Sequence, residues 1–294
     1  MHAGEPWIDA SLVRRLLAAQ LPQWAGLPLR RVESAGTDNA IFRLGDDLAV
    51  RLPRIGWAVA QVEKEHRWLP RLAPHLPLPI PEPLALGVPG AGYPWPWAVH
   101  RWLAGEDALA APVADLRQAA IDLARFIAAL QRIDPAGGPR AGEASSRGVP
   151  LATRDAAVRA AIATLRRDID GPAVTAAWEA ALAAPAWDRP GVWLHGDLTA
   201  VNLLVRDGRL AAVIDFGPLA VGDPAADVMT AWLYLDRGAR AIFRETLQVD
   251  DATWARAKGW ALSVGLIILP YYRDTNPVLC GIGARAIEHV LEDR

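Results

Sequence analysis

The sequence predicts an α+β protein in two parts, a small strand-rich front and a larger, mainly helical rear. Short apolar runs broken by small-residue turns crowd residues 29–52. Helical spacing of apolar residues dominates from residue 113 onward. Late in the chain, the tight turn signal Arg206-Asp207-Gly208-Arg209 joins two further apolar runs. At 294 residues the chain can fill two cores, and 52% apolar residues supply them. The expected division puts residues 1–101 in the front part and 102–294 in the rear.

Taken in order, residues 9–20 predict an amphipathic helix, with Asp9 as its N-cap and Leu12, Leu16 and Leu17 on one face. Leu29–Ser34, Ala40–Leu44 and Leu48–Leu52 predict three strands, with Ser34 to Asn39 supplying a small-residue turn. Ala58–Leu69 predicts a helix that Pro70 ends. From Pro74 to Pro96, proline keeps the chain extended, and Trp97–Leu103 returns to strand character. Val113–Ile133 predicts a helix, whereas Gly, Pro, Ser and Ala over 135–150 predict a mobile loop that could sit near a substrate. Alanine-rich helices are expected near 151–169 and 172–184, and short strands at Val192–Leu194, Asn202–Val205 and Leu210–Ile214. A helix over Asp223–Leu235, capped by Asp223 with Pro224 at its first position, precedes two more near 251–270 and 277–292.

Composition excludes several classes. The single cysteine, Cys280, permits no internal disulfide and fits a reducing cytoplasm. The longest apolar run, Ala261 to Pro270 with Ser263 inside it, is too short to span a bilayer, and no signal peptide is evident. A net charge of −2 gives no reason to expect nucleic acid, and is compatible with a cationic substrate among many others.

Chemistry concentrates in residues 193–217, where His195, Asp197, Asn202 and Asp215 stand among apolar neighbours. The expected hairpin brings Asn202, at its start, near Asp215, just past its end, with Asp197 on the loop that enters it. Asn202 and Asp215 are hard oxygen ligands suited to Mg²⁺, and Asp197 can accept the proton of an attacking hydroxyl. An Asp followed five residues later by Asn, and then by Asp-Phe-Gly, is the kinase spacing. Here Gly196 stands where protein kinases carry Arg.

His195-Gly196-Asp197, Asn202, Ile214-Asp215-Phe216 and Gly222-Asp223-Pro224-Ala225-Ala226-Asp227 appear in register, and at these residues the sequence resembles the aminoglycoside phosphotransferase family. The resemblance implies a two-lobed protein-kinase-like fold, with a nucleotide bound between a sheet-rich N-lobe and a mainly helical C-lobe. It also implies transfer of the γ-phosphoryl group of ATP, with GTP possible, to a hydroxyl of a small molecule such as an antibiotic. Asp197, Asn202 and Asp215 would be catalytic, Asn202 and Asp215 as Mg²⁺ ligands. His195 would brace the loop, and Asp227 would bond its backbone.

Nucleotide contacts are expected from Ser34, Gly36, Thr37 and Asn39 in the first turn, and from Val99, His100 and Trp102 at the connection between lobes. Arg51 takes the place of the usual third-strand Lys, with Glu65 as its partner, and Lys64 is expected to point elsewhere. Tyr271, Tyr272 and Asp274 are the candidate acceptor contacts. Two rivals stay open: a metabolite kinase with a choline-, homoserine- or sugar-like acceptor, and a non-catalytic nucleotide-binding pseudokinase suggested by Arg51. The absence of a Gly-x-Ser-x-Gly elbow argues against a serine hydrolase.

Overall fold

The computed structural model describes residues 5–33 and 38–293, so the expected contacts Ser34, Gly36 and Thr37 lie outside the described residues. The chain forms two compact units. The first comprises residues 1–74, 79–105 and 212–217, and the second residues 75–78, 106–211 and 218–294.

In the first unit, helix α1 (Ala10–Gln20) starts where the Asp9 carboxylate accepts from the Leu12 N–H, a cap that contributes about 0.5–2 kcal/mol. The three expected strands, β1 (Leu29–Val32), β2 (Asn39–Leu44) and β3 (Leu48–Pro53), pair as an antiparallel meander. Helix α2 (Val59–Leu72) follows, then β4 (Pro83–Gly87) and β5 (Trp97–Arg101), closing one five-stranded sheet in the order β1-β2-β3-β5-β4. Leu12, Val13, Leu16 and Leu17 of α1 share a core with Phe42, Leu44, Val50, Leu52 and Trp97 of the sheet. Strand alternation therefore sends Arg51 to the opposite face.

Pro70 does not end α2, contrary to expectation; it sits inside the helix. Proline removes only the one bond to the residue four positions back, and the buried Leu72 anchors the turn beyond it.

The second unit begins with the short strand β6 (Glu106–Asp107) and helix α3 (Leu116–Arg132). α3 starts three residues later than its apolar pattern suggests, because Asp115 caps it through the N–H groups of Arg117 and Gln118. Residues 135–150 form no regular element but are tied down, since Ala141 N–H donates to Val221 O and Asp223 N–H to Gly148 O. A 3₁₀ turn at Leu151–Arg154 leads into α4 (Asp155–Thr164), and α5 (Gly171–Leu182) follows.

Strand β7 (Val192–Leu194) precedes the hairpin of β8 (Leu203–Arg206) and β9 (Arg209–Val213). Its two-residue turn needs positive φ at both positions, supplied by Asp207 (53°) and Gly208 (73°). Strand β10 (Ala220–Gly222) pairs with β7.

The single helix expected over 223–235 is instead two short ones, α6 (Ala225–Val228) and α7 (Thr230–Leu233). Asp223 does hold the Ala225 N–H, but its carboxylate also meets the buried Arg256 guanidinium, which fixes the start of this segment. Helix α8 (Arg237–Leu247), capped by Asp236, lies where the sequence pattern predicts no helix, whereas α9 (Asp251–Tyr272) and α10 (Pro277–Glu292) lie where it does. α9 packs against α4, α5, α6 and α10, and so forms the spine of this unit. Among the described residues, no helix is long and apolar enough to cross a membrane.

Candidate active site

In the first unit, Arg51 of β3 stands between two carboxylates. One nitrogen of its guanidinium donates to Glu65 of α2, and Nη2 donates to Asp215 Oδ1 at 2.9 Å. Glu65 is only 2% exposed, Arg51 12% and Asp215 40%. Burial pushes the Glu65 carboxyl up, and Arg51 opposes that shift. Burial also works against charge on Arg51, yet Glu65 and Asp215 beside it hold its pKa above the ordinary value. The planar fork serves both acids at once, which the single ammonium of a lysine does less readily.

Lys64 does not point away from this group, as its helix position suggested. Its long stem carries Nζ to 2.6 Å from Gly217 O, on the segment that holds Asp215. Burial lowers its pKa to about 8, with Glu65 and Asp215 opposing. Asp215 itself lies in the left-handed region at φ 63°, a conformation uncommon outside glycine and frequent at functional sites.

On β5, Val99 and His100 are both buried. His100 Nε2 has no hydrogen-bond partner, and burial, with Arg51 and His66 adding to it, pulls its pKa down to about 3. His100 is therefore neutral, as a packed strand residue should be. Trp102 donates its backbone N–H to Asp47 O, and the centroid of its ring lies 5.0 Å from the Arg43 guanidinium carbon. Asn39 opens β2 and pairs with Pro53.

In the second unit, β7 feeds the loop His195-Gly196-Asp197. Asn202 ends a 3₁₀ turn over Ala200–Asn202, and its Nδ2 donates to Asp197 O at 2.8 Å and to Asp197 Oδ2 at 2.9 Å. His195 is fully buried, and its Nδ1 accepts from the Asp197 N–H at 3.2 Å. The loop is also held from below. Asp227 Oδ2 accepts from the His195 N–H at 2.8 Å, Oδ1 accepts from the Gly196 N–H at 2.6 Å, and Thr230 Oγ1 donates to Leu198 O.

Burial pushes the Asp227 carboxyl up to about 7, although its two backbone donors favour the charged form. Asp227→Asn is expected to destabilise the protein by about 1–3 kcal/mol, because an amide nitrogen cannot accept the second N–H. The native pKa exceeds the unfolded one, so the Asp227 contribution to stability is full below about pH 4 and declines toward pH 7. Urea midpoints measured across that window should show a flatter pH slope for the variant.

Arg147, which no motif anticipates, fills the space that Gly196 leaves. Gly196 has φ 85°, and a Cβ there would lie 3.2 Å from the Arg147 stem, while Arg147 Nε donates to Gly196 O at 3.1 Å. Arg154 was also missed. Both lie in or beside the irregular 135–150 segment, where apolar periodicity gives no signal. Tyr271, Tyr272 and Asp274, the expected acceptor contacts, lie at and just past the C-terminal end of α9, where the two rings stack edge to face.

A model of the phosphotransferase enzyme family matches residues 29–260. Among solved structures, the chain is similar to the GDP and kanamycin complex of APH(2″)-IIia, at 18% identity and a TM-score of 0.72 over 96% of this chain and 99% of that one. It is also similar to the GDP complex of wild-type aminoglycoside 2′-phosphotransferase-IIIa, at 17% identity and a TM-score of 0.74 over 97% and 99%. A third is the apoenzyme of macrolide 2′-phosphotransferase MphH from Brachybacterium faecium, at 23% identity and a TM-score of 0.63 over 95% and 97%. At these identities the likeness is one of fold: a sheet-rich N-terminal part and a helical C-terminal part, as in these kinase-like proteins. No curated protein matches the chain in sequence.

Proposed function

The chain belongs to the phosphotransferase enzyme family, and from that premise we propose that it moves the γ-phosphoryl group of a nucleoside triphosphate to a hydroxyl of a small molecule. The observation that supports this best is the pairing of Asp197 with Asn202, whose amide fixes both the backbone and the carboxylate of Asp197. A carboxylate so held serves as general base. As the acceptor oxygen bonds to the γ-phosphorus, the bridging P–O bond breaks and the nucleoside diphosphate leaves with the electron pair. The hydroxyl proton passes to Asp197. Relatives that hold GDP or ADP favour a purine donor, proposed as ATP with GTP as the second candidate.

Asn202 and Asp215 are proposed as Mg²⁺ ligands, and their donor atoms fit that ion. Asn202 commits its nitrogen to Asp197, which leaves Oδ1 for a cation. Asp215 gives Oδ1 to Arg51, which leaves Oδ2. Among the described residues, no three His, Cys, Asp or Glu side chains cluster to cage a metal. Two such donor oxygens suit Mg²⁺, which takes one or two protein oxygens and keeps water and phosphate in its shell. When bound, Mg²⁺ supplies charge neutralisation at the β- and γ-phosphates. Arg51, Asn39, Val99, His100 and Trp102 are proposed to hold the nucleotide, as are Ser34, Gly36 and Thr37. Glu65 keeps Arg51 in place. Tyr271, Tyr272 and Asp274 remain proposed acceptor contacts. A cytoplasmic location belongs to the same proposal and is in keeping with the lone cysteine, Cys280.

A thermal-shift titration with ATP, with and without Mg²⁺, tests the reading. Mg²⁺ should deepen the stabilisation by ATP, and EDTA should remove that gain. Asp215→Ala should weaken Mg-ATP binding by at least about tenfold, or about 1.4 kcal/mol. A variant with unchanged metal dependence would take Asp215 out of the metal site. ADP release in a coupled assay over antibiotics, choline, homoserine and sugars would then separate drug inactivation from metabolite phosphorylation.

A further inference from the structure

Two arginines of the second unit share one indole. The Arg147 guanidinium carbon lies 6.0 Å from the centroid of the Trp260 ring and that of Arg154 lies 5.9 Å from it, while Trp260 is fully buried on α9. Their described hydrogen-bond acceptors are neutral: Gly196 O for Arg147 at 3.1 Å, and Ser263 Oγ for Arg154 at 3.2 Å. Burial lowers the pKa of both, and for Arg154 the like charge of Arg147 lowers it further. Of the acidic groups, Asp197 is the one whose field favours charge on Arg147.

Two like charges held partly out of water against neutral acceptors are costly unless a counter-charge arrives. Their location shows where that charge would enter, because Arg147 is bonded to the residue immediately before the proposed base. A polyamine brought to the same place would meet two guanidiniums and lose affinity. A hydroxyl compound bearing a carboxylate or phosphate would gain charge-assisted hydrogen bonds from nitrogens that are not spent on acids.

Building on the reaction proposed above, we propose that Arg147 and Arg154 recognise an anionic group on the acceptor, so that this phosphotransferase acts on a hydroxy acid or a sugar phosphate rather than on a polycationic aminoglycoside. The paired guanidiniums are a binding device, separate from the proton acceptor Asp197. A carboxylate and a phosphate share the chemistry that the pair reads, and acceptors of each kind distinguish them.

The test uses the full chain saturated with Mg-ADP, so that the nucleotide phosphates are already satisfied. Gluconate and glucose 6-phosphate serve as anionic probes, sorbitol and glucose as neutral ones, and kanamycin as the polycation, each titrated by calorimetry. At least one anion should bind tenfold or more tightly than its neutral counterpart and than kanamycin. Arg154→Ala should erase that advantage, and Arg154→Lys should restore part of it, with circular dichroism reporting that each variant is folded. Equal affinity for anionic and neutral probes, no detectable anion binding, tighter binding of kanamycin, or an advantage that survives Arg154→Ala would each overturn the inference. Were the guanidiniums to serve the nucleotide instead, Arg154→Ala would weaken Mg-ADP and leave the probes alone, which also overturns it. Loss of Mg-ADP binding by the wild-type protein would instead sink the proposed reaction, so the two failures are distinguishable.

Discussion

Asp197→Ala is expected to lower turnover by about 10²–10⁴-fold, the range that general-base catalysis contributes, with nucleotide affinity staying near the wild-type value. Asp197 reaches Asn202 through a side-chain oxygen, so its loss unties one of the two Asn202 hydrogen bonds and leaves the other, to the Asp197 backbone, intact. The loop beneath is fastened by backbone N–H groups to Asp227, which the substitution does not touch. The loss should therefore appear in kcat rather than in the urea midpoint. Single-turnover rates at saturating nucleotide and acceptor measure it. A variant that retains more than a tenth of the wild-type rate has lost no proton acceptor, and Asp197 would then be a positioning group.

Arg51→Met is expected to lower folding stability by about 3–5 kcal/mol, the cost of leaving a buried charge without its partner. Glu65 is the group left behind, almost wholly inaccessible and already pushed toward its neutral form by burial. The sign of the pH effect follows. A carboxyl whose native pKa is raised contributes its stability below the unfolded value and loses it as pH rises through the native value. The deficit of Arg51→Met should thus be larger at pH 8 than at pH 5. Adding Glu65→Leu should recover most of the loss, since an apolar pair of similar volume avoids the desolvation cost. Chemical denaturation of the two variants at both pH values measures this, and a single variant as stable as wild type would mean that the ion pair contributes nothing.

Much of the fold was legible in the sequence because its elements carry strong local signals. Asp9 and the Leu12, Leu16 and Leu17 stripe specified α1, and Asp207-Gly208 specified the hairpin turn through the positive φ that both residues adopt. Boundaries failed where a tertiary contact overrode the local rule. Pro70 stays helical because Leu72 is anchored beyond it, and the segment after Asp223 breaks into two turns, with the Asp223 carboxylate bound to Arg256. The polar residues of the loop that carries Asp197 could be listed from their spacing, and the Arg51–Glu65 pairing followed from the kinase-like resemblance together with the stripe of α2 that carries Glu65. Arg147 and Arg154 could not. What brings them to Trp260 is the path of an irregular segment, held by bonds to Val221 and Asp223 that leave no trace in residue periodicity.

That path has a consequence for how such a protein diversifies. Arg154 sits on a 3₁₀ turn and donates to Ser263 of α9, and its described hydrogen bond is to that helix rather than to the loop that carries Asp197. Replacing it changes what is selected and leaves the bond-making apparatus alone. Arg147 is bonded to that loop through Gly196 O and cannot drift so freely. In a laboratory-evolution experiment, early changes in substrate range should therefore accumulate at Arg154 and its helix neighbours, and only later at Arg147.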